Sequence, residues 1–260
     1  MLKIWLCTIA ATLLSFCSLH GAPVTVRFVE GTVHGFLLLR STNGDTLAYG
    51  EQLQLHRDGG IESRLVFRFK DGSIHDERVF FTQRKVFTLQ NYRLVQHGPS
   101  FSKSINASLD RTTEQYTVRY RKENNGPEKL DEGRLDLPPD VYNGMQVTVL
   151  KNLRKGAKET VHFVAFTPMP KTIKLELSAA GEDRFSFGGM QKKATRYRIK
   201  PQLGVLGPIA SLFGKHPPDF NYWIVSEEVP AFLAFEGPFY PDGPIWRVEL
   251  TTPQLPKQIF

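Results

Sequence analysis

Three histidine-bearing runs are the places where this sequence could do chemistry. His75-Asp76-Glu77 sets three titratable side chains in a row. Successive side chains alternate on a strand, so His75 and Glu77 share a face and Asp76 points away. A metal site needs further donors converging from elsewhere, and the run reads as a solvated strand edge. His56-Arg57-Asp58 precedes Gly59-Gly60 and reads as the approach to a turn. His162 stands in an apolar strand, where a packed or hydrogen-bonded imidazole is expected rather than a general base. No Gly-x-Ser-x-Gly elbow, His-Glu-x-x-His pair, P-loop or dinucleotide fingerprint occurs. No catalytic residue, cofactor or metal is therefore expected. Glycosidases work with paired carboxylates, but with 26 acids in the chain no pair stands out. Asn106-Ala107-Ser108 matches a glycosylation sequon, which matters only on a eukaryotic secretory route.

A different kind of candidate is the apolar excursion Gly204 to Asp219. Pro208 suits the first position of a helix and Gly214 its C-terminal cap, which predicts a short helix near 207–214. Ile209, Leu212 and Phe213 fall on one face of it, with Val205 and Leu206 just before. Lys215-His216 and Pro217-Pro218 close the segment. One role is to cover an open end of a sheet and complete the core. The other is a lid or membrane-touching tip over an apolar cavity, with Val205, Leu206, Ile209, Leu212, Phe213 and the nearby Trp223 as ligand contacts. Burial at such a face is worth about 25 cal/mol per Å², so an acyl chain could replace the lid's own contacts.

The elements that must carry these residues are strands. Alternation marks Val24–Val29, Val33–Arg40, Leu53–Arg57, Arg64–Lys70, His75–Thr82, Val86–Val95, Tyr116–Arg121 and Lys129–Leu137. Asp71-Gly72 is a hairpin signal between two of them. Leu137-Pro138-Pro139-Asp140 then stops the pattern, and Asp140 reads as a helix N-cap. Val141, Met145, Val149, Leu150 and Leu153 have helical spacing, which predicts one helix of three to four turns near 140–154. The β-branched run Val147-Thr148-Val149 argues against it. Strands resume at Thr160–Phe166, Thr172–Leu177, Phe185–Phe187, Ala194–Lys200, Phe220–Val225, Ala231–Glu236 and Ile245–Leu250. The expected fold is mainly β, a large curved antiparallel sheet or half-barrel. It forms a single β-rich domain over 23–255 or two β subdomains with a seam near 138–156.

The N-terminus carries Lys3, an apolar run from Ile4 to Phe16, and small residues at Gly21 and Ala22. That is the layout of a signal peptide over residues 1–22. The run is shorter than the roughly 20 residues needed to span a bilayer. A secreted or periplasmic location follows, with no transmembrane span after signal removal. Both cysteines, Cys7 and Cys17, lie inside the presumed signal, so the mature chain has no disulfide and no thiolate site. The formal charge is +7, of which the signal contributes one lysine. No run of consecutive Lys or Arg appears, so a solvated positive surface is expected and a nucleic-acid partner is not.

The second half resembles the periplasmic family catalogued as domain of unknown function 3108. The resemblance runs from about Pro138 to Leu250. It rests on Asp140 opening a helix that ends at Leu153-Arg154, on Gly188-Gly189 before Ala194-Thr195-Arg196-Tyr197-Arg198-Ile199, on the strand Trp223-Ile224-Val225-Ser226, and on Pro230 and Glu236. The chain departs from the pattern at Val205–Asp219. The resemblance implies a curved antiparallel half-barrel and carries no activity. The functional expectation is an exported envelope protein that binds an apolar or lipid-like ligand in a curved sheet. The alternatives are a structural or protein-interaction component of the envelope, with an envelope protein as partner, and a secreted hydrolase.

Overall fold

In the computed structural model, residues 21–122, 126–166, 169–187, 190–202, 218–225 and 228–252 are described. The chain folds as β1 Val33–Ser41, β2 Thr46–Arg57, β3 Gly60–Phe69, β4 Ile74–Gln83, β5 Phe87–His97, β6 Ser104–Asp110, β7 Gln115–Arg121 and β8 Lys129–Arg134. Helix α1 Gln146–Asn152 follows. The second half adds β9 Lys158–Ala165, β10 Lys171–Phe187, β11 Met190–Gln202, β12 Phe220–Val225, β13 Ala231–Gly237 and β14 Trp246–Thr251. All fourteen strands join one antiparallel sheet in the order β8-β7-β6-β5-β4-β3-β2-β1-β14-β13-β12-β11-β10-β9. Each half of the chain is a meander, and the pairing of β1 with β14 fuses the two. The sheet does not close on itself, because β8 and β9 stand at opposite ends of the order.

The alternation expected from the sequence is what buries the core. Ile61, Val79, Phe81, Phe87 and Leu89 face inward from one arm of the sheet, and Val161, Leu175, Leu177, Ile199 and Ile224 from the other. These residues belong to one cluster, and Val141, Tyr142, Met145, Val149 and Leu150 fill the space between them. The sheet therefore curves around the segment that contains α1. A second cluster of Leu37, Leu39, Phe67, Phe69, Phe101, Phe235 and Trp246 fills the concave side where the two halves meet.

The helix is shorter than its sequence pattern predicts. It spans 7 residues, its N-cap is Met145, and no side chain caps it. Asp140 is not the cap. Gly144 adopts φ +69°, a left-handed conformation that ends any helix begun at Asp140. Upstream, residues 140–142 run parallel to β9, with bonds from Tyr142 N to His162 O at 3.1 Å and from His162 N to Asp140 O at 3.0 Å. Residues Val24–Val29 also differ from expectation. They form a strap with a single bridge, Thr25 to Val86, instead of a strand.

Two other differences concern strands. Ser104–Asp110, singled out only for its sequon, is the strand β6. The pieces expected at Thr172–Leu177 and Phe185–Phe187 are one strand, β10, which runs on through a bulge at Ala179/Gly181. Gly181 takes φ +136° there, so the turn-like composition of the stretch bends the strand without ending it.

Candidate functional site

The concave face holds the chain's own plug. The strap is fastened to it and to the sheet by polar bonds. Tyr142 accepts a bond at its hydroxyl from Val24 N at 2.8 Å. Asn152 Oδ1 accepts from both Arg27 N and Phe28 N at 2.7 Å, and Arg27 Nη1 donates to Leu153 O at 2.8 Å. Glu30 is 3% exposed, and its carboxylate meets Lys151 Nζ at 2.6 Å and Gln54 Nε2 at 3.0 Å. Gln83 holds the Glu30 backbone through both its N–H and its carbonyl. Burial pushes the Tyr142 hydroxyl up to about 12, so it stays neutral and can donate to Phe87 O while it accepts from Val24.

Two histidines are buried, His75 and His162. His162 Nδ1 lies 2.7 Å from Asp140 Oδ1, both buried. Hydrogen bonding in an apolar strand is what the sequence predicts for His162. A nucleophile would complete a catalytic triad. The small space beside His162, about 10 Å³, is lined by Tyr142, Gln146, Val149, Val161, Leu175, Leu177 and Ile199, none of them Ser, Thr or Cys. The pair joins segment 140–142 to β9 and covers that edge.

His75 corrects a sequence expectation. It is buried, not at a solvated edge, because β4 lies between β3 and β5. Its Nδ1 meets Gln96 Oε1 at 3.1 Å, and its ring packs on Phe67 and Phe239. Burial lowers its pKa below the usual imidazole range. Glu77 shares its face, as expected, and accepts from the Tyr92 hydroxyl at 2.7 Å. Burial and that carboxylate raise the Tyr92 pKa well above the phenol range. Among the described residues no three His, Cys, Asp or Glu side chains are grouped to hold a metal ion.

Of the six predicted ligand contacts, Val205, Leu206, Ile209, Leu212 and Phe213 lie outside the described residues. Trp223 sits in a separate cluster with Ala194, Leu233 and Ala234. Its Nε1 donates to Asp183 Oδ2 at 2.7 Å, and the Arg247 guanidinium lies 5.2 Å from its ring. Its strand neighbours Tyr222 and Ile224 pack against the main core instead.

An open groove lies on the outer face, at residues that no sequence motif singled out. A groove of about 470 Å³ crosses β3 to β7. Its rim and floor carry Arg78, Phe80, Asn91, Arg93, Ser108 and Thr117. Cross-strand register builds it, since Arg64 stands opposite Arg78, Arg78 opposite Arg93, Arg93 opposite Ser108, and Ser108 opposite Thr117. Asp76 pairs with Arg64 and Arg78 in this row, and the charges of Glu51 and Glu62 also act on Arg64. Burial pushes the Asp76 pKa up, but bonds from Arg64 and Arg78 outweigh this and hold it below the usual range. The residues were visible in the sequence, but their alignment was not, because it depends on the register of four strand pairs.

No family model matches the chain, and neither a curated protein nor a solved structure does. Among the described residues no helix is long and apolar enough to cross a membrane.

Proposed function

We propose that this chain is an exported, non-catalytic binding protein that holds its ligand in the outer groove across β3 to β7. One observation carries the reading. The concave face is filled by the strap and the α1 segment, with about 10 Å³ left beside His162, whereas the outer groove offers about 470 Å³. Binding sites are concave and carry a few placed polar groups, and the groove has both. Export rests on the signal layout at residues 1–22, and membership of the half-barrel family belongs to the same proposal. The test is a bulky block. Ser108→Trp fills the groove and should abolish retention on whichever ligand the full chain binds in an array of glycans, lipids and peptides. Retention unchanged by Ser108→Trp would place the ligand elsewhere and refute the reading.

A second reading keeps the apolar or lipid-like ligand. Phe220, Tyr222 and Phe232 are only partly buried on the concave wall, next to the point where segment 203–217 leaves β11 and joins β12. An acyl chain held between this wall and Val205, Leu206, Ile209, Leu212 and Phe213 would use those residues as a lid. Uptake of a fluorescent fatty acid should then fall in a Leu212→Ser/Phe213→Ser variant whose melting temperature is unchanged. A variant that melts earlier and takes up the probe normally would make those residues core.

A further inference from the structure

We propose that the outer groove takes an anionic polysaccharide, with Arg78 and Arg93 reading its acidic groups. The inference rests on the groove being the ligand face and adds the class of ligand. Its starting point is a row of arginines that folding alone does not explain. Arg64, Arg78 and Arg93 are directly opposed across β3, β4 and β5. Like charges in that position destabilise a sheet.

The nearby acids leave part of the row uncompensated. Asp76 binds Arg64 through two bonds, at 2.9 and 2.6 Å, and reaches Arg78 at only 3.5 Å. Glu62 is engaged by Arg57 at 2.9 Å. Asp110 accepts from Thr113 N and Asn91 Nδ2. No described acid forms an ion pair with Arg93. The β1–β14 junction shows what a compensated pair looks like. Arg40 stands opposite Arg247 there, but Glu249 meets both at 3.7 and 2.6 Å, and Glu236 lies 3.4 Å from Arg247. The same cross-strand geometry carries three ion pairs at β1–β14, whereas among the described residues Arg78 has one long ion pair and Arg93 none.

The remaining lining selects among anions. Guanidinium forks match the planar oxygens of carboxylates and the oxygens of sulfates. Adjacent strands are about 4.8 Å apart, so Arg78 and Arg93 can converge on one acidic group. Ser108, Thr117 and Asn91 continue the row with donors and acceptors that suit sugar hydroxyls. Phe80 is half-buried and offers an apolar surface to a sugar ring. Glu62 and Asp110 flank the groove. They would repel the unbroken phosphate line of a nucleic acid but tolerate a polymer whose charges are separated by hydroxyl-rich surface.

The experiment measures binding of polygalacturonate oligomers, neutral dextran oligomers and single-stranded DNA to the full chain by titration calorimetry at two salt concentrations. The expected result is binding of polygalacturonate that weakens with salt. Arg93→Ala or Arg78→Ala should weaken it by about tenfold or more, the loss expected for a hydrogen bond to a charged group. Arg40→Ala should leave it unchanged. Equal binding of dextran and polygalacturonate, lost in Ser108→Trp but untouched by Arg93→Ala, would overturn the anionic class and leave the groove standing. Polygalacturonate binding that survives Ser108→Trp would overturn the groove itself. Tighter binding of DNA, or no binding of either glycan, would overturn the polysaccharide assignment.

Discussion

Replacing Lys151 by Met should cost the protein about 3 kcal/mol and free its N-terminal strap. Glu30 is 3% exposed, and its two acidic oxygens depend on Lys151 Nζ at 2.6 Å and Gln54 Nε2 at 3.0 Å. Removing the cation leaves a buried carboxylate with one amide for company. Breaking a buried pair in this way costs about 3–5 kcal/mol. The Lys151 side chain keeps 16% exposure, so water can partly replace it and the lower end applies. For a domain of this size, about 3 kcal/mol corresponds to a fall in melting temperature of about 6–12 °C. The assay is urea denaturation read by tryptophan fluorescence, together with amide exchange over residues 24–31. Lys151→Met/Glu30→Gln removes both charges and keeps an acceptor for Gln54, so it should recover most of the loss. A single variant that costs less than about 1 kcal/mol would refute the reasoning. So would a double variant whose cost equals the sum of the two singles, because contacting residues must couple.

Two further predictions concern buried polar groups. Asn143→Ala should destabilise by about 2 kcal/mol or more, because Asn143 bonds both Val164 O at 2.9 Å and Val164 N at 2.8 Å, and each group left unpaired costs about 1–3 kcal/mol; urea midpoints check it. His75 predicts the acid response. Burial lowers its folded pKa, so its contribution is complete above about 6.5 and is lost as the pH falls below that value towards the folded pKa. Asp71, Asp76 and Asp110 have lowered carboxyl pKa values and lose their contribution only at more acidic pH. Stability measured between pH 7 and pH 5 should therefore decline, and His75→Gln should flatten that decline. An unchanged slope would exclude His75 as its source.

The strands were legible because one face of each is buried. Tyr116–Arg121 alternates cleanly, while Val33–Arg40 and Arg64–Lys70 are marked by the apolar runs Leu37-Leu38-Leu39 and Leu65-Val66-Phe67; each lies within an observed strand apart from Lys70 at the hairpin. The turn at Asp71-Gly72 was legible for the same local reason, and Gly72 takes φ +84° there. Segment 140–154 misled because its apolar spacing serves two structures in succession. Val141 and Tyr142 pack as extended chain beside β9, and Val149 and Leu150 pack as helix. Only Gly144 between them marks the change. Ser104–Asp110 was missed because its inner residues, Ile105, Ala107 and Leu109, alternate with polar residues that resemble loop composition.

For the groove, residue type was legible and position was not. Arg78 follows a histidine and two acids, and Arg93 follows a tyrosine, so neither marks a basic motif. They become neighbours because β4 and β5 pair with a bulge between Phe80 and Phe81, which fixes the register on that side.

The sequence by itself determined a mainly β chain, because alternation, turn residues and aromatic content are local properties of the string. Tertiary structure alone decided that the fourteen strands form one open sheet, that residues 24–31 strap the concave face, and that three arginines stand in a line on the outer one. Pairing partners and register arise from contacts between residues far apart in the chain, and no short window of sequence contains them.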